Sequence, residues 1–367
     1  MAEALKVVGL MSGTSLDGID AAVLDTDGEG EVHPGPALAV PYAAGLRADL
    51  QRALASAAAL SPGDPVLQSI RDVERAVTEA HADVVLRLLR DAGLAPRDVA
   101  LIGFHGQTIL HRPKERRSWQ IGDGPLLAKL TGIDVVNDFR SADMRAGGEG
   151  APFVPLYHAA LVRAAALGLP VVVVNIGGVG NVTFCSAGMT LAFDTGPGNA
   201  AIDDWAQAHT GKPFDEDGRL AAAGKADAAL VARMLAHPYF QLPPPKSLDR
   251  MDFGTSGVAH LSPADGAATL TAFTAAAIAE ARTHFPETPA TWIVSGGGRR
   301  NPQLMIELAA RVRGTVVAAE ALGWRGDFVE AEAFAYLAVR ASKGLPLSLP
   351  TTTGVPTPTT GGQFHRA

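Results

Sequence analysis

The sequence predicts an α/β protein of two domains. At 367 residues the chain exceeds the length that one hydrophobic core usually serves. Strand-like apolar runs alternate with helical stretches along the chain. A strand, a glycine-rich turn and a second strand open the chain, and the same order returns at residues 171–184. That repeat predicts two related α/β halves.

The first half begins with a hairpin over residues 7–24. Helices are predicted where apolar residues recur at steps of three and four, over 43–60, 66–92, 125–131 and 156–167. Short β-rich runs predict strands over 99–104 and 134–137. Residues 138–155 are polar and glycine-rich, and a connection of that length is typically functional.

The second half repeats this alternation. β-rich runs predict strands over 171–174, 182–184, 191–193 and 291–294. Helices are predicted over 200–209, 264–284, 302–313 and 330–341. Residues 237–253, with three consecutive prolines, form a loop. The Thr-, Pro- and Gly-rich residues beyond Leu345 have little with which to build a core. We therefore assign domain I to residues 1–165 completed by 326–345, domain II to 166–325, and a tail to 346–367.

The composition is that of an ordinary globular protein, with 47% hydrophobic and 19% charged residues. The net charge of −7 and the dispersed arginines disfavour nucleic-acid binding. The single cysteine, Cys185, excludes an internal disulfide and suits a reducing compartment. Neither a secretory signal nor a membrane-spanning run is evident. These features predict a cytoplasmic enzyme.

Three strand ends carry glycine clusters, at residues 12–18, 175–181 and 295–301. A strand that runs into a glycine turn presents backbone N–H groups at the edge of a sheet, where α/β folds bind ligands. None of the three clusters matches the P-loop or the dinucleotide fingerprint. Together they predict a nucleoside triphosphate held between two domains, although each turn taken alone could be purely structural. The candidate ATP-binding residues are Ser12, Gly13, Thr14, Ser15, Asp17, Gly18, Gly177, Gly178, Asn181, Gly296, Gly297 and Gly298.

Eight motifs in order make the chain resemble one family of sugar kinases. They read MSGTSLDGID, GFHGQT, WQIGDG, VNDFR, GAPFVP, NIGGVGN, DTGPGN and SGGGRRN. The tandem glycine hairpins resemble the actin, sugar-kinase and Hsp70 superfamily. The full set resembles the anhydro-N-acetylmuramic acid kinases from about Val7 to about Ala341. The resemblance implies a two-domain actin-like (ribonuclease H-like) ATPase fold with the active site in the interdomain cleft.

The same resemblance implies the reaction and its catalytic residues. Water would open the 1,6-anhydro ring of anhydro-N-acetylmuramic acid while O6 receives the γ-phosphoryl group of ATP, in cell-wall recycling. Asp194 is then the expected base for the water, although its local sequence would also suit a helix cap or a turn. Glu330 corresponds to a family acid near the sugar, with a helix-start role as its alternative and Glu332 as a weaker substitute.

The expected sugar contacts lie in the first half. Gln107 and Asn137 have amides that pair with hydroxyl or N-acetyl groups. Arg140, or alternatively Arg145, would meet the lactyl carboxylate. His105 would contact the sugar, with a structural strand-end histidine as its alternative. Asp194 is counted among the substrate contacts as well as the catalytic residues.

Phosphoryl transfer from ATP makes Mg²⁺ the expected cofactor. Met11 occupies the position where the superfamily commonly has a metal-serving aspartate, so the metal ligands stay open, with Asp17 or Asp20 acting through water. The resemblance also implies a homodimer. Two alternative hypotheses for the function remain: a conformational switch driven by nucleotide, and a plain sugar kinase that does not hydrolyse a ring.

Overall fold

The structure is a computed structural model that describes residues 3–13, 15–248 and 252–367. The strands are β1 (Leu5–Ser12), β2 (Gly18–Thr26), β3 (Val32–Pro41), β4 (Leu101–Arg112), β5 (Arg117–Ile121), β6 (Val135–Asn137), β7 (Val171–Ile176), β8 (Val179–Cys185), β9 (Thr190–Pro197), β10 (Thr291–Ser295), β11 (Thr315–Ala318) and β12 (Gln363–His365). The helices are α1 (Ala44–Ala59), α2 (Gln68–Asp91), α3 (Gly124–Thr131), α4 (Ser141–Arg145), α5 (Pro155–Ala164), α6 (Ala200–Thr210), α7 (Arg219–Ala222), α8 (Ala228–Leu235), α9 (Pro263–Glu280), α10 (Pro302–Ala309) and α11 (Val329–Ser342).

The chain divides into two compact units. Unit 1 comprises the described residues up to Ala164 together with Phe328–Ala367, and unit 2 comprises Ala165–Asp327. The sheet of unit 1 has the strand order β12-β6-β4-β1-β2-β3, with β5 paired to β4. The sheet of unit 2 has the order β11-β10-β7-β8-β9.

The two sheets share one topology. In each, an antiparallel meander of three strands (β1-β2-β3 and β7-β8-β9) is extended by strands parallel to the first (β4 and β6, β10 and β11). The repeated strand–turn–strand pattern of the sequence is therefore confirmed as a repeated sheet topology.

In unit 1, helix α11 lies directly on the backbone of the sheet. A Cβ atom at Gly9 would lie 1.8 Å from the carbonyl oxygen of Ala331, and one at Gly103 would lie 2.0 Å from that of Phe334. Both positions therefore require glycine, because any side chain would separate the helix from β1 and β4. This close contact carries the start of α11, with Glu330, to the strands of the first hairpin.

In unit 2, helix α9 is buried along almost its whole length. Its residues from Gly266 to Ala279 are all buried, as expected of a helix that is apolar on every side. The core beside the sheet is built on large side chains such as Phe184, Phe193 and Trp292. Strand β7 is the central strand, with Val171 to Val174 fully buried, so its end has a fixed position.

Several elements differ from the sequence-based prediction. The strand predicted over 99–104 continues to Arg112, because β5 folds back and pairs with it. Residues 346–367, which the sequence predicts to be a separate tail, belong instead to unit 1. Leu347, Thr353 and Val355 are buried there, and β12 pairs with β6. The edge strands β3, β11 and β12 have no clear alternation of polar and apolar residues, so their sequences do not predict strands. Within the described ranges, no helix is both long enough and apolar enough to cross a membrane.

Candidate active site

A row of polar residues crosses the sheet of unit 2. Ser295 on β10 is the register partner of Asn175 on β7, Asn175 pairs with Asn181 on β8, and Asn181 pairs with Asp194 on β9. Residues directly opposite each other on neighbouring strands point to the same face of a sheet. This row brings together three motifs where β7 and β10 end: NIGGVGN, SGGGRRN and DTGPGN.

The turn between β7 and β8 presents its backbone to that edge. The carbonyl oxygen of Gly177 accepts from the N–H of Asn199 at 2.7 Å, and that of Gly178 accepts from the N–H of Gly198 at 2.9 Å. Because a trans peptide places C=O and N–H on opposite sides, the N–H groups of Gly178 and Val179 point away from α6. Outward N–H groups on a glycine turn are suited to phosphate oxygens.

The third glycine cluster packs against the end of β7. Gly296 has a φ of 72°, and a Cβ there would lie 2.4 Å from Oδ1 of Asn175. A Cβ at Gly298 would lie 2.4 Å from a methyl carbon of Ile176. These glycines are required by the close approach of β7 and the turn after β10, so they bring a backbone turn next to the polar row.

Asp194 lies inside β9 and is held by the segment that follows α8. Its Oδ2 accepts from the N–H of Leu248 at 2.9 Å, and its own N–H donates to the carbonyl oxygen of Lys246 at 3.0 Å. The alternative that Asp194 caps a helix is wrong, because the N-cap of α6 is Asn199. Asp194 as a residue is only partly buried, which is compatible with contact to a ligand.

In unit 1, Gln107 braces the loop of the first hairpin. Its Nε2 donates to the carbonyl oxygen of Gly13 at 3.1 Å, and its Oε1 accepts from the hydroxyl of Tyr42 at 3.3 Å. Ser12 is held from the same strand, because its hydroxyl donates to the carbonyl oxygen of Gly106 at 3.1 Å. Gln107 is fully buried, so its amide supports the loop around Gly13 in this structure. Burial, the largest cause, raises the pKa of Tyr42 to about 12, so its hydroxyl stays protonated and can donate.

The remaining residues of this hairpin differ in exposure. Ser15 and Asp17 are exposed, and Asp17 lies 3.6 Å from the guanidinium of Arg47. Gly18 begins β2, where a Cβ would lie 2.3 Å from the carbonyl oxygen of Val40. Thr14 lies outside the described residues. Ser15 and Asp17 are thus accessible to a ligand, whereas Ser12 and Gly13 are held by β4.

His105, which is buried, and Arg140, which is partly buried, form a hydrogen-bonded pair in unit 1. Nε of Arg140 donates to Nε2 of His105 at 3.0 Å, and Nδ1 of His105 donates to the carbonyl oxygen of Gly106 at 2.8 Å. Burial first, and the Arg140 guanidinium second, lower the pKa of His105 well below its usual range. The histidine is therefore neutral, and its Nε2 orients Arg140 by accepting the hydrogen bond from Nε.

Glu330, in the first turn of α11, lies in the same region. Burial raises the pKa of its carboxyl above the ordinary value, and the Arg140 guanidinium opposes that rise. Glu332, the weaker substitute, is buried and accepts a hydrogen bond from the hydroxyl of Tyr157 at 2.8 Å. The charge of Arg140 thus acts on Glu330, whereas the hydrogen bond described for Glu332 is to Tyr157. Arg145 is exposed, and Arg140 is the arginine that contacts His105.

Asn137 is tied to the end of the chain. Its Nδ2 donates to the carbonyl oxygen of Gly122 at 3.3 Å, and its Oδ1 pairs with Nε2 of His365 at 2.9 Å. Both ends of the amide are therefore engaged by protein in this structure.

The described residues hold no group of three or more His, Cys, Asp or Glu side chains arranged to bind a metal ion. Asp20 lies opposite Met11 in the first hairpin. Cys185, at the end of β8, is buried and is not part of a disulfide.

Sequence reasoning missed four residues of these sites: Tyr42, Asn175, Tyr239 and Lys246. Asn175 lies within a recognised motif, and the strand register would have paired it with Asn181. Tyr42, Tyr239 and Lys246 carry no local signal, because each contacts a residue more than forty positions away in the chain.

The sequence model that describes anhydro-N-acetylmuramic acid kinase matches residues 5–366. A protein named anhydro-N-acetylmuramic acid kinase from Paramagnetospirillum magneticum is 55% identical over 365 residues, covering 98% of this chain and 99% of that protein. A protein of the same name from Nitrobacter winogradskyi is 53% identical over 99% of this chain and 100% of its own length.

Component A of the (R)-2-hydroxyglutaryl-CoA dehydratase of Acidaminococcus fermentans has a similar fold. Its TM-score is 0.50 at 10% identity, over 92% of this chain and 99% of that chain. At this identity the likeness concerns the fold alone, and it agrees with the duplicated sheet topology described above. The expected two-domain actin-like α/β fold is confirmed.

Proposed function

We propose, because this chain belongs to the anhydro-N-acetylmuramic acid kinase family, that it catalyses the coupled reaction of that family. It uses ATP to convert 1,6-anhydro-N-acetylmuramic acid and water into N-acetylmuramic acid 6-phosphate and ADP. This is a phosphotransfer to an alcohol oxygen, in the recycling of cell-wall amino sugars.

The observation that carries the mechanism is the row ending in Asp194. The carboxylate takes a proton from water, and the water oxygen forms a bond to C1 of the sugar. The bond between C1 and O6 breaks, O6 forms a bond to the γ-phosphorus, and the bond from that phosphorus to the β-phosphate oxygen breaks. Because Leu248 N–H binds Oδ2, the other oxygen of Asp194 is the one assigned to the water.

The sugar is recognised by the residues of unit 1. A guanidinium has five N–H donors, and Arg140 uses Nε on His105 and Nη1 on the carbonyl of Gly150. The planar fork of a guanidinium held in this way suits the lactyl carboxylate of the sugar. Glu330, whose pKa is raised by burial, is assigned to a sugar hydroxyl beside Arg140. His105 acts on the sugar through the orientation of Arg140. Gln107 and Asn137 are retained as candidate contacts that would have to exchange protein partners for sugar.

ATP is bound by the glycine turns. The first hairpin contributes Ser12, Gly13, Thr14, Ser15, Asp17 and Gly18, and the second contributes Gly177, Gly178 and Asn181. Gly296, Gly297 and Gly298 are assigned to the adenosine. Outward backbone N–H groups stabilise the charge of the phosphates without a P-loop.

Mg²⁺ is the expected companion of ATP. This ion keeps several waters and takes only one or two carboxylates beside the phosphates. A single carboxylate from this hairpin, that of Asp20 or Asp17, is therefore enough to hold it. When bound, Mg²⁺ neutralises charge on the phosphoryl group that is transferred.

The test is ADP release by the purified protein with Mg-ATP, with and without the anhydro-sugar, in ¹⁸O-water. The proposal expects sugar-dependent ADP release and a product that carries one phosphate and one solvent oxygen. A phosphorylated hexose without solvent oxygen would favour a plain sugar kinase. Slow ADP release that ignores sugar would favour a nucleotide-driven switch.

We also propose a cytoplasmic homodimer that binds neither nucleic acid nor membranes. The net charge of −7 supports the exclusion of nucleic acid. The mass in solution, measured by light scattering with and without substrates, tests the dimer.

A further inference from the structure

We infer that residues 239–248 form a bracing segment whose Lys246 and Tyr239 position Asp194 for water activation. This inference rests on the proposed function, since it assigns the residues that hold the proposed base. Lys246 and Tyr239 are positioning residues, because the contacts described for them are to protein groups and not to a substrate.

The bracing segment grips residue 194 at three atoms. The hydroxyl of Tyr239 donates to the carbonyl oxygen of Asp194 at 2.5 Å. The carbonyl oxygen of Lys246 accepts the N–H of Asp194 at 3.0 Å, and the N–H of Leu248 donates to Oδ2 at 2.9 Å. Two of these bonds fix the backbone and the third fixes the rotation of the carboxylate.

The side chain of Lys246 ties the two ends of the bracing segment together. Its Nζ donates to the carbonyl oxygen of Tyr239 at 3.1 Å and lies 4.7 Å from the centre of the Tyr239 ring. The same ammonium lies 5.8 Å from the centre of the Phe193 ring, next to Asp194 in β9. Lys246 is 8% exposed, which is rare for a lysine unless its polar atoms have partners. Placing an ammonium here has a desolvation cost, so its hydrogen bond and ring contacts are what keep it in place.

The bracing segment is itself anchored to the buried helix α9. Phe240 packs against Phe273 of α9 with ring centres 5.9 Å apart, and both rings are buried. Phe253 contacts Tyr239, Phe240 and Phe273 at 5.6 to 6.2 Å. The chain of contacts therefore runs from a rigid helix through the bracing segment to the carboxylate.

This arrangement has a specific consequence for catalysis. β9 is an edge strand of its sheet, so on one side its backbone has no neighbour among the described strands to hold it. At residue 194 the bracing segment provides the hydrogen-bond partners that a further strand would otherwise provide. A displacement of about 1 Å at a reacting group can cost about a hundredfold in rate. Loosening the bracing segment should therefore lower turnover while ATP binding at the glycine turns is retained.

The experiment compares Lys246→Met, Lys246→Arg and Tyr239→Phe with the wild type and with Lys212→Met. Lys212 is a matched control, because it is an exposed lysine of the same unit with a surface ion pair to Glu216. Met keeps the aliphatic stem of Lys246 and removes the ammonium, whereas Arg keeps a cation and donors. Steady-state kcat and the KM values for ATP and sugar are measured, together with the thermal midpoint.

We expect Lys246→Met to lower kcat by about ten- to a hundredfold, with KM for ATP within about twofold of the wild type. Tyr239→Phe should lower kcat by about tenfold, and Lys246→Arg should restore it to within about fivefold. A crystal structure of Lys246→Met should show the Asp194 carboxylate rotated away from Leu248 N–H.

The inference is overturned if Lys246→Met and Tyr239→Phe both keep wild-type kcat, or if Lys212→Met loses as much. If Lys246→Met does not fold, Tyr239→Phe decides alone. If the wild type shows no sugar-dependent turnover, the proposed function fails. The position of the carboxylate in the Lys246→Met crystal structure then decides the bracing role on its own.

Discussion

Replacing Asp194 by Asn removes the proposed base while leaving its surroundings in place. The amide oxygen of Asn can still accept the N–H of Leu248, which now lies 2.9 Å from Oδ2. The backbone bonds to Lys246 and Tyr239 involve the main chain of residue 194 and are unchanged. The substitution therefore removes the basic carboxylate and keeps these three hydrogen bonds.

The expected size of the two effects differs widely. General-base catalysis contributes about 10²- to 10⁴-fold, so sugar-dependent turnover should fall by that factor. Changing a charged acceptor into a neutral one lowers the contribution of the Leu248 bond by about 1 kcal/mol. A change of that size lowers the unfolding midpoint by only about 2–4 °C in a domain of unit size.

The assay is ADP release at saturating ATP and sugar, with thermal unfolding of the same samples. Asp217→Asn serves as the control, because Asp217 is exposed and pairs only with Arg219 at the surface among the ion pairs described. A folded Asp194→Asn enzyme that turns over within about threefold of the wild type refutes the assignment of Asp194 as base. An equal loss in Asp217→Asn would point to a general defect of the variants instead.

Three further predictions test other parts of the structure. Gln107→Leu removes the donor to Gly13 and should raise KM for ATP by about tenfold, as measured by initial rates; an unchanged KM contradicts the bracing of that loop. Burial lowers the pKa of His81 to about 4, whereas the unfolded value is about 6.5, so the unfolded state binds more protons and stability falls as pH drops below 6.5. Between pH 6.5 and 5 this residue should lower the free energy of unfolding by about 2 kcal/mol. The free energy of unfolding of His81→Leu, measured in urea, should therefore depend less on pH than that of the wild type; an equal dependence on pH contradicts this. Thr353→Val deletes the donor to buried Asp143 and should cost about 1.5–3 kcal/mol in calorimetry, whereas Thr357→Val at an exposed site should cost little; equal midpoints contradict the role of the chain end.

Local patterns carry much of the fold. The glycine turns are visible in the sequence because glycine is required where a backbone turns tightly beside a ligand or another strand, as at Gly296. Long helices such as α2 and α9 are predicted by apolar spacing or by continuous apolar character. The repeat of strand, turn and strand in consecutive residues is sufficient to predict the duplicated sheet. The roles of the individual site residues stay predictions until they are tested.

Other features depend on which distant segments meet. Strand β4 runs to Arg112 only because β5 pairs with it, and β12 becomes a strand only because β6 offers an edge. Thr353 reaches Asp143 across 210 residues, so no window of sequence around either residue could predict the bond. The polar row to Asp194 likewise depends on strand register, since a slip of one residue would turn the carboxylate to the opposite face.

The sequence by itself thus determined the class of fold, the repeated halves and the family, because short-range backbone preferences and motif spacing are written in consecutive residues. Only the tertiary structure decided how Arg140 is oriented by His105 and how Asp194 is held by residues 239–248. Those arrangements arise from hydrogen bonds between groups far apart in the chain, and such bonds are set by packing after the elements have formed.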